Sequence, residues 1–439
     1  MSSSWHLHDM SDVGHGSSAG VSGHGLICIS SFSVARAPPT TISSLRLIRL
    51  VHAMAHRLLL SGDRKTFTTV NFDAEKKSLT VLADYTAPPD VSWVEPTSSS
   101  GDVDRLVGLS EQTGEGELFT FDIDHGRKTC SFTSKKKTLG APAHFITLHD
   151  ESALALATYL GGSIALYPVS ITEEQGLLLV DAPRTELLFE FTYRSAGHGP
   201  VEERQRQSHA HQVLEDKRGL LYVPDLGTDR VWIVNHRNLQ LEVVGWLQCP
   251  PGTGPRHAVF SPDEKLLYVL GELSHNVIAF DLSPPPALNM QPVDGFSASV
   301  VPPTVAPHHR YRLDSSEITA NPAVPRVLYA SNRWELHLAE REPHLRDVPE
   351  KKQPGDAIAI LLLSPDGRRV EDVQFVRTHL DTIRGMRVSD DGKHVVVCGQ
   401  EGGGIEIYRI GGRRGEEWTL AARLADGLES GIKHAVWLG

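Results

Sequence analysis

The sequence predicts an all-β chain, a seven-bladed β-propeller of four-stranded blades, and three observations carry that prediction. HAHQVLEDKRGLLYVPDLGTDRVWIV from His209 and PRHAVFSPDEKLLYVLGELSHNVIAF from Pro255 are copies of one pattern. A 46-residue shift takes Tyr222 onto Tyr268, Val231 onto Val277 and His211 onto His257. Each copy alternates short β-branched and aliphatic runs with Asp- and Gly-rich turns, the pattern of successive hairpins. Five further units of the same kind lie along the chain, and repeats of this length made of short strands stack radially. Finally, 439 residues with 40% hydrophobic and 22% charged side chains form an ordinary globular composition, large enough for one propeller.

Taken in order, residues 1–53 stand apart. They are rich in Ser, Gly and His, contain HGSSAG and APPTT, and show no sustained period, so a disordered tail or leader extension is expected. Asp9 and Asp12 are the only acids before Asp63, and Arg36, Arg46, Arg49 and Arg57 make a mitochondrial presequence the alternative reading. The propeller is expected over 54–439. Its first unit holds Arg57 to Asp73 and the run from Lys77, and its second Arg105 to Leu109 and Leu118 to Ile123. The third begins at His144, with Ile164 and Tyr167 on Val231 and Val234 at a shift of 67. The opening copies are the fourth and fifth. The sixth runs from Glu317, places Tyr329 on Tyr268 at a shift of 61, and resumes in an outer strand at Ala357 to Leu363 after a charged surface insert, Trp334 to Gly355. The seventh starts at Ile383. GIKHAVWL near the end is expected to pair with the first unit and close the ring, removing two exposed edges.

Composition narrows the function classes. A formal charge of −11, a pI near 6.0 and no basic run beyond Lys135 to Lys137 argue against nucleic acid as a partner. No apolar run reaches the ~20 residues that span a bilayer. Cys28, Cys130, Cys249 and Cys398 are far apart and lack CxxC spacing, which fits a reducing, cytoplasmic setting.

Chemistry appears when the units are aligned. His144, His211 and His257 share one position at the start of the innermost strand, and Arg256, Glu317 and Arg384 share the position before it. A second shared position, at the end of the next strand, carries Leu226, Glu272, Arg333 and Gln400. Innermost strands line the channel of a propeller, so these groups are expected to converge at one mouth. Each has a bland counterpart. His144 would anchor a loop, Arg384 would pair with Asp381 or Asp390, Arg256 would close a turn, and Glu272 would be a solvated turn carboxylate. His209 and His211 with His257 would also suit zinc, although the neighbouring arginines repel a cation and fit an anion better.

HxHQ at His209 to Gln212, GPRH at Gly254 to His257, FSPDEKLLYVLGEL from Phe260, LYASNR from Leu328 and IRGM from Ile383 together resemble the seven-bladed propeller lactonase family. That family includes propeller-type 6-phosphogluconolactonases and fungal 3-carboxy-cis,cis-muconate lactonizing enzymes, the carboxymuconate cyclases. The resemblance implies a catalytic set of His209 or His211 with Arg256, Glu272 and Arg333, and the aligned positions add His144, His257, Glu317 and Arg384 as expected substrate contacts. It implies no cofactor and no metal, and an anionic small molecule whose lactone ring is formed or hydrolysed. The chain departs from the pattern at Gly271, where the family has Asn, and after Arg333, where WELHLAEREPH replaces a short turn. A non-catalytic propeller that binds a small anion or a protein is the alternative.

Overall fold

A computed structural model describes residues 56–341 and 353–439. The expected leader over residues 1–53 and the middle of the insert lie outside the described residues. Seven antiparallel sheets follow one another along the chain, each running from an innermost to an outermost strand. The innermost strands are Ile432–Leu438 in blade 1, then Val91–Ser100, Pro142–Thr147, Leu214–Glu215, Pro255–Phe260, Asp314–Ala320 and Asp381–Val388 in blades 2 to 7. Blade 3 alone shares its outer position between two short strands, Gly176–Leu179 and Thr185–Leu188, which pair with successive halves of Ser163–Thr172. One expectation is corrected. Ala357–Leu363 is the third strand of blade 6, fully buried, and Val370–Arg377 is the outer one. An unbroken apolar run belongs between two neighbours, because an outer strand shows one face to water.

The ring closes as the sequence suggested. Ile432–Leu438 pairs antiparallel with His56–Gly62, placing Val436 opposite Leu59 and Ala435 opposite Leu60. Leu59 and Val436, each 1% exposed, join Val94, Leu106 and Phe121 in the apolar layer between blades 1 and 2.

The repeated tyrosine also has a structural reason. Tyr268 and Tyr329 are buried on second strands, and their hydroxyls donate across the blade interface to the carbonyls of Gly367 (3.0 Å) and Gly415 (2.9 Å) in the outer turn of the following blade. Both glycines have positive φ, 72° and 75°, and a Cβ at either would run into the tyrosine hydroxyl. Tyr222 reaches the next blade through Arg218, which donates to its hydroxyl (2.7 Å) and to the Leu282 carbonyl (3.3 Å).

Aromatic and imidazole rings fill the ring axis. Trp93 lies 4.3 Å from both His144 and His434 between centroids, and His257 lies 5.9 Å from His144 and 5.1 Å from His211. The Val213 N–H donates to His144 Nδ1 (3.5 Å), and His434 Nε2 donates to the Val94 carbonyl (3.1 Å). Burial lowers the proton affinity of all four histidines. His257 and His434 deepen the effect at His144, Arg256 does so at His211, and His434 falls to about 4 through burial and Arg387.

Two outcomes follow. Leu59→Ala should cost about 2–5 kcal/mol, measured by urea unfolding, and removing residues 432–439 should yield a chain that self-associates on sedimentation through its unpaired edges. A truncated monomer of unchanged stability would contradict closure. The histidines are neutral when folded, so below pH ~6.5 the unfolded chain takes up protons that the folded one refuses. Their contribution to stability is complete above that pH and is lost as pH falls towards the lowered folded values. His144→Phe should therefore reduce the acid slope of stability by up to about 1.4 kcal/mol per pH unit; a slope parallel to the parent between pH 4.5 and 6 would exclude the neutral, buried state.

Candidate active site at the mouth of the ring

Inner strands start, and second strands end, on one face of the ring, because the two are antiparallel neighbours. This topology puts Arg256 and Glu272 side by side in blade 5 and brings Arg333 to the same level from blade 6. The inner strands are also irregular there. Register shifts fall between Val91 and Trp93, Pro142 and His144, Pro255 and His257, Ser315 and Ile318, and Ile383 and Gly385. Such bulges re-aim side chains, which is why adjacent Arg256 and His257 both belong to the centre.

Glu272 is the hub. Its Oε1 accepts a hydrogen bond from Arg204 Nη2 at 2.5 Å and ion-pairs with Arg333 Nη2 at 3.2 Å, and its Oε2 ion-pairs with Arg256 Nε at 2.8 Å. Glu272, Arg256 and Arg333 are all buried, whereas the Arg204 side chain stays 31% exposed at the rim. Burial alone would raise the Glu272 pKa, but Arg333, Arg204 and Arg256 outweigh it and hold the carboxyl well below its usual range. Burial, reinforced by Arg333, pushes Arg256 down to about 10, so it remains a cation at neutral pH. Arg256 Nη1 also donates to the Ser316 carbonyl, and Arg333 Nη2 to that of Ser315 (3.4 Å).

The two HxH histidines are not equivalent. His209 stacks on Tyr159 with centroids 4.3 Å apart, and its Nδ1 lies 2.9 Å from the Tyr159 carbonyl. A carbonyl only accepts, so Nδ1 carries the proton and Nε2 of the neutral ring is an open acceptor. Burial lowers its proton affinity. His211 turns to the axis, edge-on to Tyr159 at 5.5 Å, and its buried Nδ1 has no hydrogen-bond partner among the described residues.

The remaining expected contacts form a second tier at the axis. His257 Nδ1 meets Glu317 Oε1 at 2.7 Å, and Arg384 pairs with Glu111 at 2.9 Å rather than with Asp381 or Asp390. With Trp93, His211, Arg256 and Lys433 these groups line a cavity of about 20 Å³, room for about one water molecule. His257, Glu317 and Arg384 are thus engaged with protein groups around a space too small for a sugar or a muconate, and His144 is engaged with the Val213 N–H and the Trp93 ring. A larger cleft of about 600 Å³ between blades 5 and 6, lined by Pro262, Tyr268, Pro325 and Arg368, opens on the opposite face and contains none of the expected site residues.

Repeat alignment missed Arg204, Tyr159 and Asp314. Arg204 stands five residues before His209 in a connection between blades 3 and 4 that has no counterpart in other units, so no shared position announced it. Tyr159, in the loop after Ala153–Thr158, contributes its backbone carbonyl, an atom that residue type does not reveal. Among the described residues no group of three or more His, Cys, Asp or Glu side chains is arranged to hold a metal ion, and no helix is long and apolar enough to cross a membrane.

Comparison with known proteins identifies the family. The chain is 24% identical over 358 residues to a protein named "Probable 6-phosphogluconolactonase" from Arthroderma benhamiae, covering 80% of this chain and 81% of that one. It is 29% identical over 181 residues to the 6-phosphogluconolactonase of Bacillus subtilis, covering 41% and 48%. The periplasmic gluconolactonase PpgL of Pseudomonas aeruginosa superposes with a TM-score of 0.68 at 17% identity, over 88% of this chain and 99% of that one, a likeness of fold alone. The sequence model of the family described as "Lactonase, 7-bladed beta-propeller" matches residues 58–424, and the chain therefore belongs to the seven-bladed β-propeller lactonase family.

Proposed function

We propose that this protein hydrolyses the lactone ring of an anionic sugar derivative at the mouth described above. The carrying observation is the fixed tautomer of His209, which leaves Nε2 an acceptor on a ring that feels the charges of Arg204 and Glu272, where the arginines gather. In this reading Nε2 takes a proton from water as the water oxygen attacks the lactone carbonyl carbon. Arg256 and Arg333 stabilise the oxyanion through charge-assisted hydrogen bonds. The ring C–O bond then breaks, the proton passes from His209 to the departing alkoxide, and a hydroxy acid results.

Glu272, a member of the catalytic set that the family resemblance implies, is not the proton carrier in this reading. A carboxyl held so far below its ordinary range is too weak a base to accept a proton at neutral pH; its part is to gather the guanidinium groups. Their convergence on one point favours an enzyme over a binding propeller, and the names of two relatives support a phosphorylated sugar lactone as substrate.

The test is an assay of the purified chain against 6-phosphogluconolactone and 3-carboxy-cis,cis-muconate. Hydrolysis of the former is expected, falling by roughly 10²–10⁴ in kcat for His209→Gln and by about 10²–10³ for Arg256→Ala. Because burial lowers the His209 pKa, activity should persist as pH drops below ~6.5 and fade only at the lowered value. Turnover of the muconate alone would replace hydrolysis by cyclization, and turnover of neither would favour a binding propeller.

A further inference from the structure

The described start of the insert, Trp334 to Arg341, is a built element whose residues no alignment of units explains. Trp334 adopts a left-handed backbone, φ 78°, an outlier for so large a residue. Glu335 follows and is buried, accepting from Thr304 Oγ1 (2.7 Å) and Arg377 Nη1 (2.5 Å) while its N–H donates to Asp356 Oδ1 (2.9 Å). His337 is gripped between Asp381 (2.8 Å) and Glu340 (2.7 Å). These contacts deliver the short helix Leu338–Arg341 to the rim, with the Arg341 guanidinium 5.1 Å over the Trp334 ring.

At the rim Arg341 meets the hub. Asp314 Oδ1 takes Arg204 Nη1 at 3.0 Å, and its Oδ2 takes Arg341 Nη1 and Nη2 at a loose 3.4 Å. Among the described residues the ion-paired set therefore holds four guanidinium groups, Arg204, Arg256, Arg333 and Arg341, against two carboxylates, Glu272 and Asp314. Two positive charges are left over in a chain of net charge −11. Glu317 lies on the axis side, bonded to His257. The surplus is also directional. Arg256 and Arg333 are buried, whereas the Arg204 and Arg341 side chains are 31% and 34% exposed, and each guanidinium has five N–H groups, more than these contacts use.

We propose that Arg204 and Arg341 are specificity-determining residues that together grip an anionic group of the substrate remote from the reacting carbonyl, with Asp314 bridging them at the rim. The grip rests on the lactonase reading above for its role in turnover, but not for the binding itself. A dianionic oxyacid group matches the leftover charge and takes forked hydrogen bonds from both arginines. The long contacts between Arg341 and Asp314 are the ones such a group would replace.

The decisive comparison is Arg341→Gln beside the parent protein, with 6-phosphogluconolactone and unphosphorylated gluconolactone as substrates. KM for the phosphorylated lactone should rise about tenfold or more with kcat little changed, kinetics on gluconolactone should not move, and Arg341→Lys should restore part of the loss. Equal effects on both lactones, or none on either, would overturn the proposal. If the parent turns over neither lactone, the lactonase reading fails separately, and calorimetric titration with 6-phosphogluconate decides the rim. Binding weakened about tenfold by Arg341→Gln sustains the grip, and binding that is absent or unaltered ends it.

Discussion

Everything at the centre of this molecule depends on pairing the last strand with the first. Val436 opposite Leu59 and Ala435 opposite Leu60 turn an open stack of blades into a ring. An open stack would spread its inner strands along a line; closure forces all seven to face one axis. Inner positions that would be ordinary strand-start residues in separate sheets are thereby crowded together. The outcome is five rings from five blades, Trp93, His144, His211, His257 and His434, around one small space. Closure also buries polar groups that must then find partners within the protein, and bonds such as His257 to Glu317 and Lys433 to Asp90 meet that need.

Off the axis the same crowding gathers like charges, and Glu272 makes this tolerable. Three guanidinium groups within 3.2 Å of one carboxylate would repel one another severely in a low-dielectric setting without it. Buried ion pairs contribute little net stability once desolvation is counted. The cluster is better understood as charge held in readiness than as a fastening. Arg204 completes it from a loop, so the charge of the mouth is shared between the rigid blades and a connection that varies freely in length between blades.

The architecture was legible in the sequence because one structural unit recurs with one chemical pattern. The tyrosine positions, the strand starts and the closing segment each repeated or complemented another stretch. Arg256, Glu272 and Arg333 were legible for the same reason, since charged groups occupied positions where repeats usually place apolar or turn residues. What escaped lies where the repeat stops. Arg204 and Asp314 sit at or beside blade connections, and the role of Tyr159 rests on a backbone carbonyl. Ala357–Leu363 was read as an outer strand because the insert before it hid the count of strands in blade 6. The distinction between His209 and His211 was also out of reach, because alternation along a strand would point both the same way. Here they precede the short strand Leu214–Glu215 and diverge around Tyr159.

That divergence explains how a proton acceptor and a concentration of arginines can share one mouth. A histidine oriented by a carboxylate would gain proton affinity and spend part of its time as a cation, adding to an already positive site. His209 is oriented by a neutral carbonyl instead, and both burial and Arg204 oppose its protonation. It therefore stays an uncharged acceptor with a defined tautomer. The arginines keep their charge because Glu272, not the histidine, balances them. In the proposed mechanism proton transfer and anion recognition are thus assigned to separate groups, and neither has to change its charge state for the other to act.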